Sequence, residues 1–516
     1  MIKKEPQLNL DYKKSIFSKY SIIIVIIIGI SCLIRFYYLP TEIPLTGDAL
    51  YYFWYSSDIY QIGSLPNNWT PTNNGWSIFV STFFTVFDSK DIFELMQAQR
   101  ILSTLISILI TIPVYFLCKK FVERKFAIIG ATLIAFEPRL ILNSFLGITD
   151  PLYLLLITSG LVFFLSSNKK LVFCSFIAIS LAVITRGEGI FLLTSIFILF
   201  FIKYRKEKYK LFFYYIIILV IILLILVPIT NYRIDVNGYD PIFTRNVDSA
   251  NEVLVEVTTS ENINSRIFEG SKVFTQFLIW IMIPNFIIFI PIGIFLIFKQ
   301  RNFNKNILII TSVVMAIPAF YAYTFVANPA LDTRYLYVLF PMFSILSVLA
   351  IQKICEKIPK SNIIIIVIIL AIIVASISFY DYKKIDYEHE KESFEVMQKI
   401  SPIINGTNIL YPETSYFKTI QTIDQWPIIS SKIKFDITTV PTSEYDSLQE
   451  FILYSKETGL SHIIIDNNSN REEFLNELFF DETKYPYLKK IFDSKDEGFN
   501  YHVKLFKINY DLFSLK

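Results

Sequence analysis

The chain has 516 residues, of which 53% are hydrophobic and 18% charged, with a mean hydropathy of +0.48. A soluble protein of this length carries charge on near a quarter of its residues, and the excess here comes as long Ile/Leu/Phe runs, so the composition excludes an ordinary soluble globule. The net charge of +3 hides an asymmetry: residues 381–516 carry −7 and residues 1–380 carry +10. The basic residues sit in short loops and not on one face, which argues against nucleic acid as a partner.

The first apolar run, near 20–39, follows Lys3, Lys4, Lys13, Lys14 and Lys19. It is too long for a signal-peptide core and no small-residue cleavage site follows, so it reads as an uncleaved first span. Further spans are expected near 97–118, 126–143, 151–167, 171–185, 189–202, 211–230, 273–298, 306–326, 335–352 and 362–380, about 11 in all. With the N-terminus in the cytoplasm, every inside loop is basic: Lys119, Lys120, Arg124 and Lys125; Lys169 and Lys170; Lys203, Arg205, Lys206, Lys208 and Lys210; Lys299, Arg301 and Lys305; Lys353, Lys357 and Lys360. That is the positive-inside pattern. The outer segment 41–96 holds Glu42, Asp48, Asp58, Asp88, Asp91 and Glu94 against Lys90 alone. The expected protein is a multi-pass cell-membrane protein with its C-terminal part outside.

Two outer loops exceed the length of a connector. The first, 40–96, carries Trp54, Trp69 and Trp76 and an amphipathic piece from Trp76 to Phe87 that is expected along the interface. The second, 231–272, is polar and contains Arg233, Arg245 and Arg266. The tail, 381–516, shows strand-like runs at Ile409–Tyr411, His462–Asp466 and Tyr501–Lys507, and helical stretches at Ser443–Lys456 and Arg471–Phe479. It reads as a small extracytoplasmic α/β domain, behind a transmembrane catalytic domain of residues 1–380. Sequons begin at Asn68, Asn405 and Asn467. Cys32, Cys118, Cys174 and Cys355 all lie in or beside apolar runs, so the tail has no disulfide. His389, His462 and His502 are all in the tail, which excludes a His-ligated metal in the membrane region. Carboxylate-bound Mg²⁺ or Mn²⁺ stays open, with Asp48 and Asp150 as its candidate ligands.

Charged residues at membrane depth are costly and commonly functional. Here they collect on the expected outer side: Asp48 after the first span, Arg100 opening the second, Glu137 and Arg139 late in the third, Asp150 before the fourth, Arg186 and Glu188 between the fifth and sixth, Arg233 after the seventh, and Asp332 and Arg334 before the tenth. Arginines grip phosphate oxygens and a carboxylate takes a hydroxyl proton, so the mixture suits a phosphate-bearing substrate. Each has a structural alternative. Asp150, ahead of Pro151, suits a helix cap. Arg186-Gly187-Glu188-Gly189 suits a turn with a local ion pair, and Asp332-Thr333-Arg334 a solvated cap. Glu137 and Arg139 can snorkel to the interface. Tyr51, Tyr52, Trp54 and Tyr55 suit an aromatic belt, and Asp48 alone suits a turn after Gly47.

The ordered set resembles the GT-C glycosyltransferase superfamily, and within it the protein O-mannosyltransferase and lipid-A aminoarabinose transferase branch. The carriers are Gly47-Asp48-Ala49-Leu50-Tyr51; Ala135-Phe136-Glu137-Pro138-Arg139-Leu140 through Thr149-Asp150-Pro151-Leu152; Thr185-Arg186-Gly187-Glu188-Gly189; Asn231-Tyr232-Arg233; and Arg334-Tyr335-Leu336 followed by Pro341. Ala49 departs from the Asp-Glu pair of the mannosyltransferases. The resemblance implies inverting transfer of a sugar from a polyprenyl- or dolichyl-phosphate donor to a hydroxyl of a protein, glycan or lipid acceptor at the outer face of the bilayer. It implies Asp48 as the catalytic base, Arg186, Arg233 and Arg334 on the leaving phosphate, Asp150 positioning the acceptor or a metal, and Tyr51, Arg100, Glu188 and Asp332 as further substrate-binding residues. The alternatives are an oligosaccharyltransferase-type subunit, whose Trp-Trp-Asp motif the lone Trp426-Pro427 does not supply, and a lipid-linked sugar flippase or transporter, whose paired half-repeats are not seen.

Overall fold

The computed structural model describes residues 19–207, 209–259, 263–300, 303–326, 332–356, 361–404, 408–410, 415–437, 440, 442, 445–468 and 471–514. Lys3, Lys4, Lys13, Lys14, Lys208, Arg301, Lys357, Lys360, Asn405, Tyr411 and Ser443 lie outside these residues. Asn68 and Asn467 are both exposed.

The chain is mostly helical. Helix α1 (Lys19–Tyr38) is an apolar rod. The segment expected as the first outer loop is helical too. It forms α2 (Gly47–Ile62) and α3 (Asn74–Phe87). Gly47 (φ +55°) lets the chain turn sharply into α2, and Gly63 (φ +73°) closes it in the left-handed conformation, donating to the Ile59 carbonyl. On α3 the four-residue spacing of Trp76, Val80 and Phe84 puts all three on one buried face, while Phe79, Val86 and Phe87 stay exposed. The amphipathic piece read from the sequence is this helix.

Helices α4 (Ile92–Leu109) and α5 (Thr111–Cys118) run on as one 27-residue apolar span. Helices α6 (Arg124–Ala135) and α7 (Pro138–Ser144) meet at a 50° bend, where Glu137 caps α7 and Pro138 opens it. Helices α8 (Asp150–Phe164), α9 (Lys169–Thr185) and α10 (Gly189–Tyr204) are short, with 15, 17 and 16 residues. Helix α11 (Tyr209–Asn237) has 29 residues and is about 43 Å long. The expected second outer loop is thereby corrected: α11 continues through Arg233 to Asn237, and α12 (Pro241–Thr259) and α13 (Ile263–Met282) fill the rest. Apolar residues through Val227 and the polar Asn231–Asn237 form one uninterrupted rod, which hydropathy alone splits in two. Helices α14 (Phe289–Lys299), α15 (Phe303–Thr324), a 3₁₀ helix (Thr333–Leu339), α16 (Phe340–Cys355) and α17 (Ser361–Lys383) complete the bundle. Among the described residues six helices are long and apolar enough to cross a membrane, or seven if the bent α6–α7 pair is one span. The shorter helices fall below that length, which separates this figure from the 11 segments read from the sequence.

Beyond α17 come α18 (Tyr387–Ile400), α19 (Ser415–Asp424), α20 (Leu448–Ser455) and α21 (Glu473–Phe480) around a four-stranded sheet. Its strands are β1 (Asn408–Leu410), β2 (Leu460–Asp466), β3 (Leu488–Asp493) and β4 (Val503–Ile508), in the order β1-β2-β4-β3. β1 runs parallel to β2; β2–β4 and β4–β3 are antiparallel. Ile463, Ile464 and Ile465 on β2 are fully buried, as a strand covered on both faces requires. β3 lies on an edge with Lys489 and Lys490 exposed, a charge pattern that discourages strand addition and also hides the strand from hydropathy.

Close helix packing rests on small residues. A side-chain carbon at Gly293 on α14 lands on the Leu346 carbonyl of α16. Gly293→Leu is expected to force the two helices apart and cost about 1–3 kcal/mol or more, read as a lowered thermal unfolding midpoint in detergent.

Candidate active site

Two cavities meet at the 3₁₀ helix, and Asn143, Arg334 and Tyr337 line both. One, of about 30 Å³, is small and largely apolar, walled by Ile110, Leu154, Leu192 and Met315, with Asp150, Arg186 and Glu188 among its polar groups. The other, of about 530 Å³, is wide and polar and holds Asp48 and Asp332 beside Arg334.

Asp48 stands in the first turn of α2, with its side chain 69% exposed. A carboxylate there gains from the positive helix end. Its Oδ2 lies 3.5 Å from Nη2 of Arg334. It is a helix residue rather than a turn residue. Arg334 is held from its own side by Asp332, which caps the 3₁₀ helix by accepting from the Arg334 N–H (2.8 Å) and pairs with its Nε.

Asp150 opens α8 with Pro151 behind it, but Thr149 is the cap residue and Asp150 turns to Arg186. Arg186 also meets Glu188, Nη2 to Oε1 at 3.2 Å, and lies over the Tyr153 ring at 5.7 Å. Burial alone would lower the Arg186 pKa; the charges of Glu188 and Asp150 outweigh it and raise the value well above the usual one. The guanidinium therefore stays charged in a site only 15% exposed. Tyr52, one helical turn along from Asp48, lies within electrostatic reach of Asp48, Arg186 and Asp150. It links the two acidic centres, and in the sequence it looked only like part of an aromatic belt.

Arg100, Arg233, Glu137, Arg139 and Tyr51 are placed differently. Arg100 lines the wide cavity, but its guanidinium donates to the carbonyls of Pro40, Ile43 (2.8 Å), Pro44 (3.1 Å) and Phe145 (2.9 Å) and to Gln97. Its geometry is that of a clamp on the chain entering α2. Arg233 is 2% exposed and is met by Asn74 (2.7 Å) and Asp240 (3.5 Å); it lines neither cavity. Glu137 and Arg139 form an ion pair of 3.0 Å and do not snorkel outward. Arg139 donates to the carbonyls of Trp280 (2.6 Å) and Ile283 (2.5 Å), beside the Trp280 and Phe379 rings. Tyr51 is half exposed and joins an aromatic group with Trp54 and Trp69, at centroid distances of 6.5 and 5.4 Å.

Asp48 and Asp150 do not form a metal cradle. Each faces an arginine, and among the described residues no group of three or more His, Cys, Asp or Glu is arranged to hold an ion.

No protein-family model matches the chain, and no curated protein matches it. Solved structures do. The oligosaccharyltransferase of Archaeoglobus fulgidus, in complex with Zn and sulfate, matches with a TM-score of 0.57 at 14% identity, covering 86% of this chain and 68% of that one. AglB from the same organism, with an inhibitory peptide and a dolichol-phosphate, gives 0.55 at 13% identity over 87% and 70%. ArnT of Cupriavidus metallidurans, bound to undecaprenyl phosphate, gives 0.57 at 10% identity over 95% of this chain and 98% of that one.

Removing Arg186 takes the cation away from the buried Asp150 carboxylate. Arg186→Leu is expected to cost about 3 kcal/mol, and adding Asp150→Asn to restore part of it, measured as a double-mutant cycle of unfolding midpoints. The chain has the GT-C fold of membrane glycosyltransferases.

Proposed function

We propose that the protein is an inverting glycosyltransferase that moves a sugar from a polyprenyl-phosphate donor to an acceptor hydroxyl. The observation that carries this reading is the junction at Arg334, which lines both a small apolar cavity that holds Arg186 and a wide polar one that holds an exposed carboxylate. The phosphate of a lipid-linked sugar suits Arg186 and Arg334. The relatives bound to undecaprenyl phosphate and dolichol-phosphate support the same donor class. The match along nearly the whole of ArnT favours this reading over an oligosaccharyltransferase-type subunit.

In the proposed step the acceptor oxygen attacks C1 of the sugar as the C1–O bond to phosphate breaks. The bonding pair leaves with the polyprenyl phosphate, whose growing charge Arg186 and Arg334 meet. Asp48 takes the hydroxyl proton, with its Oδ2 3.5 Å from Nη2 of Arg334. Asp150 and Glu188 hold Arg186, and Asp332 holds Arg334, so the cations are oriented before the donor arrives. Arg100 and Arg233 are assigned here to support of the chain around the site. No step is routed through a metal.

The proposed membrane arrangement counts the short apolar helices as crossings, giving 11, with the basic loops in the cytoplasm and Asp48, Arg186, Arg334 and the tail on the outer face. The domain division is 1–380 for the catalytic bundle and 381–516 for the tail.

Asp48→Asn preserves the size of the side chain and removes its basicity. In reconstituted vesicles supplied with radiolabelled undecaprenyl-phosphate hexoses, the variant is expected to lose transfer by roughly 10²–10⁴-fold with an unchanged unfolding midpoint. Near wild-type transfer overturns the assignment. Label that crosses the bilayer without forming a glycoside overturns the reaction class.

A further inference from the structure

The wide cavity is not built by the bundle alone. Its wall opposite Asp48 comes from the tail, through Ile385, Tyr387, Glu390 and Tyr416. We infer that Glu390, oriented by Tyr416, binds a hydroxyl or ammonium group of the acceptor in the cavity that Asp48 also lines. The inference rests on the glycosyl-transfer reading above and adds to it the chemistry of the second substrate.

The first support is that this wall is fixed in place. Thr419 on α19 donates to the Leu45 carbonyl at 2.9 Å, three residues before Asp48. Trp54 Nε1 donates to Thr422 (3.0 Å), Trp426 Nε1 to the Lys90 carbonyl (3.1 Å), and Lys391 pairs with Glu42. Asp58, at the far end of α2 and 1% exposed, accepts from Trp69 Nε1 (2.9 Å), from the Ser430 N–H (2.8 Å) and from its hydroxyl (2.5 Å). A buried carboxylate needs such donors, and two of the three come from the tail. The helix that carries Asp48 and the segment that carries Tyr416 are thus one rigid frame.

The second support is a carboxylate left open to the cavity. Glu390 accepts from the Tyr416 hydroxyl at Oε2 (2.6 Å), which orients the carboxylate, and it has no ion pair among the described residues. Asp48 and Asp332, the other carboxylates lining the cavity, both face Arg334. Glu390 therefore offers carboxylate oxygens, which take hydrogen bonds from hydroxyl or ammonium groups.

The test uses the full chain in lipid vesicles, radiolabelled undecaprenyl-phosphate hexoses as donor and octyl β-D-glucoside as acceptor probe. Glu390→Gln keeps one acceptor oxygen but loses the charge; it is expected to raise KM for octyl glucoside roughly tenfold or more, with a smaller effect on kcat. Tyr416→Phe should give a smaller rise in KM. An unchanged KM in Glu390→Gln, or a fall in kcat with KM unchanged, overturns the inference. Asp48→Asn assayed in parallel separates the two readings: if it stays active the glycosyl-transfer reading fails, and if it is inactive while Glu390→Gln behaves as wild type only the acceptor assignment fails.

Discussion

Where a helix ends inside an apolar bundle, its last carbonyl oxygens have no water to turn to. This chain meets that constraint with arginine. Arg35 on α1 donates to the Ala135 carbonyl at the end of α6 (2.6 Å). Arg100 gathers the carbonyls of the turn that leads into α2, and Arg139 those at the end of α13. Each clamp sits where a helix of the bundle starts, ends or breaks.

The same constraint sorts the charged residues into two groups. A guanidinium that donates to carbonyls, as those of Arg100 and Arg139 do, serves the backbone. A guanidinium held by carboxylates, as Arg186 is by Asp150 and Glu188, is oriented but retains the capacity to exchange one partner for another. Proposed roles on phosphate fall on the second group, Arg186 and Arg334. Arg233, met by an amide and a buried aspartate away from both cavities, stands with the first.

This division also explains how far the sequence could be read. Each apolar segment picked out by hydropathy coincides with a helix or a pair of helices, because burial in an apolar surround is written directly in composition. The order of Asp48, Asp150, Arg186 and Arg334 along the chain was visible, and the structure gathers these four around two joined cavities. What composition does not carry is the partner of each charge. Arg100 and Arg186 look alike in sequence, and only the carbonyls around one and the carboxylates around the other tell them apart. The helical continuation of α11 past Thr230 escaped because its last turns are polar. Strand β3 escaped because its outward positions are lysines. Asp58 and Glu390 gave no signal, since one lies in a run of aromatics and the other in a run of surface acids, and their surroundings come from segments hundreds of residues away.

Asp58 and its Ser430 partner are 372 positions apart in the chain. At ordinary synthesis rates of about 5–20 residues per second, roughly 20–75 s separate the making of the two. During that interval α2 has been made, yet the buried carboxylate at its far end lacks two of its three donors, and the tail residues that line the wide cavity with Asp48 have not been made. The wide cavity is thus whole only once the final quarter of the chain lies against its beginning.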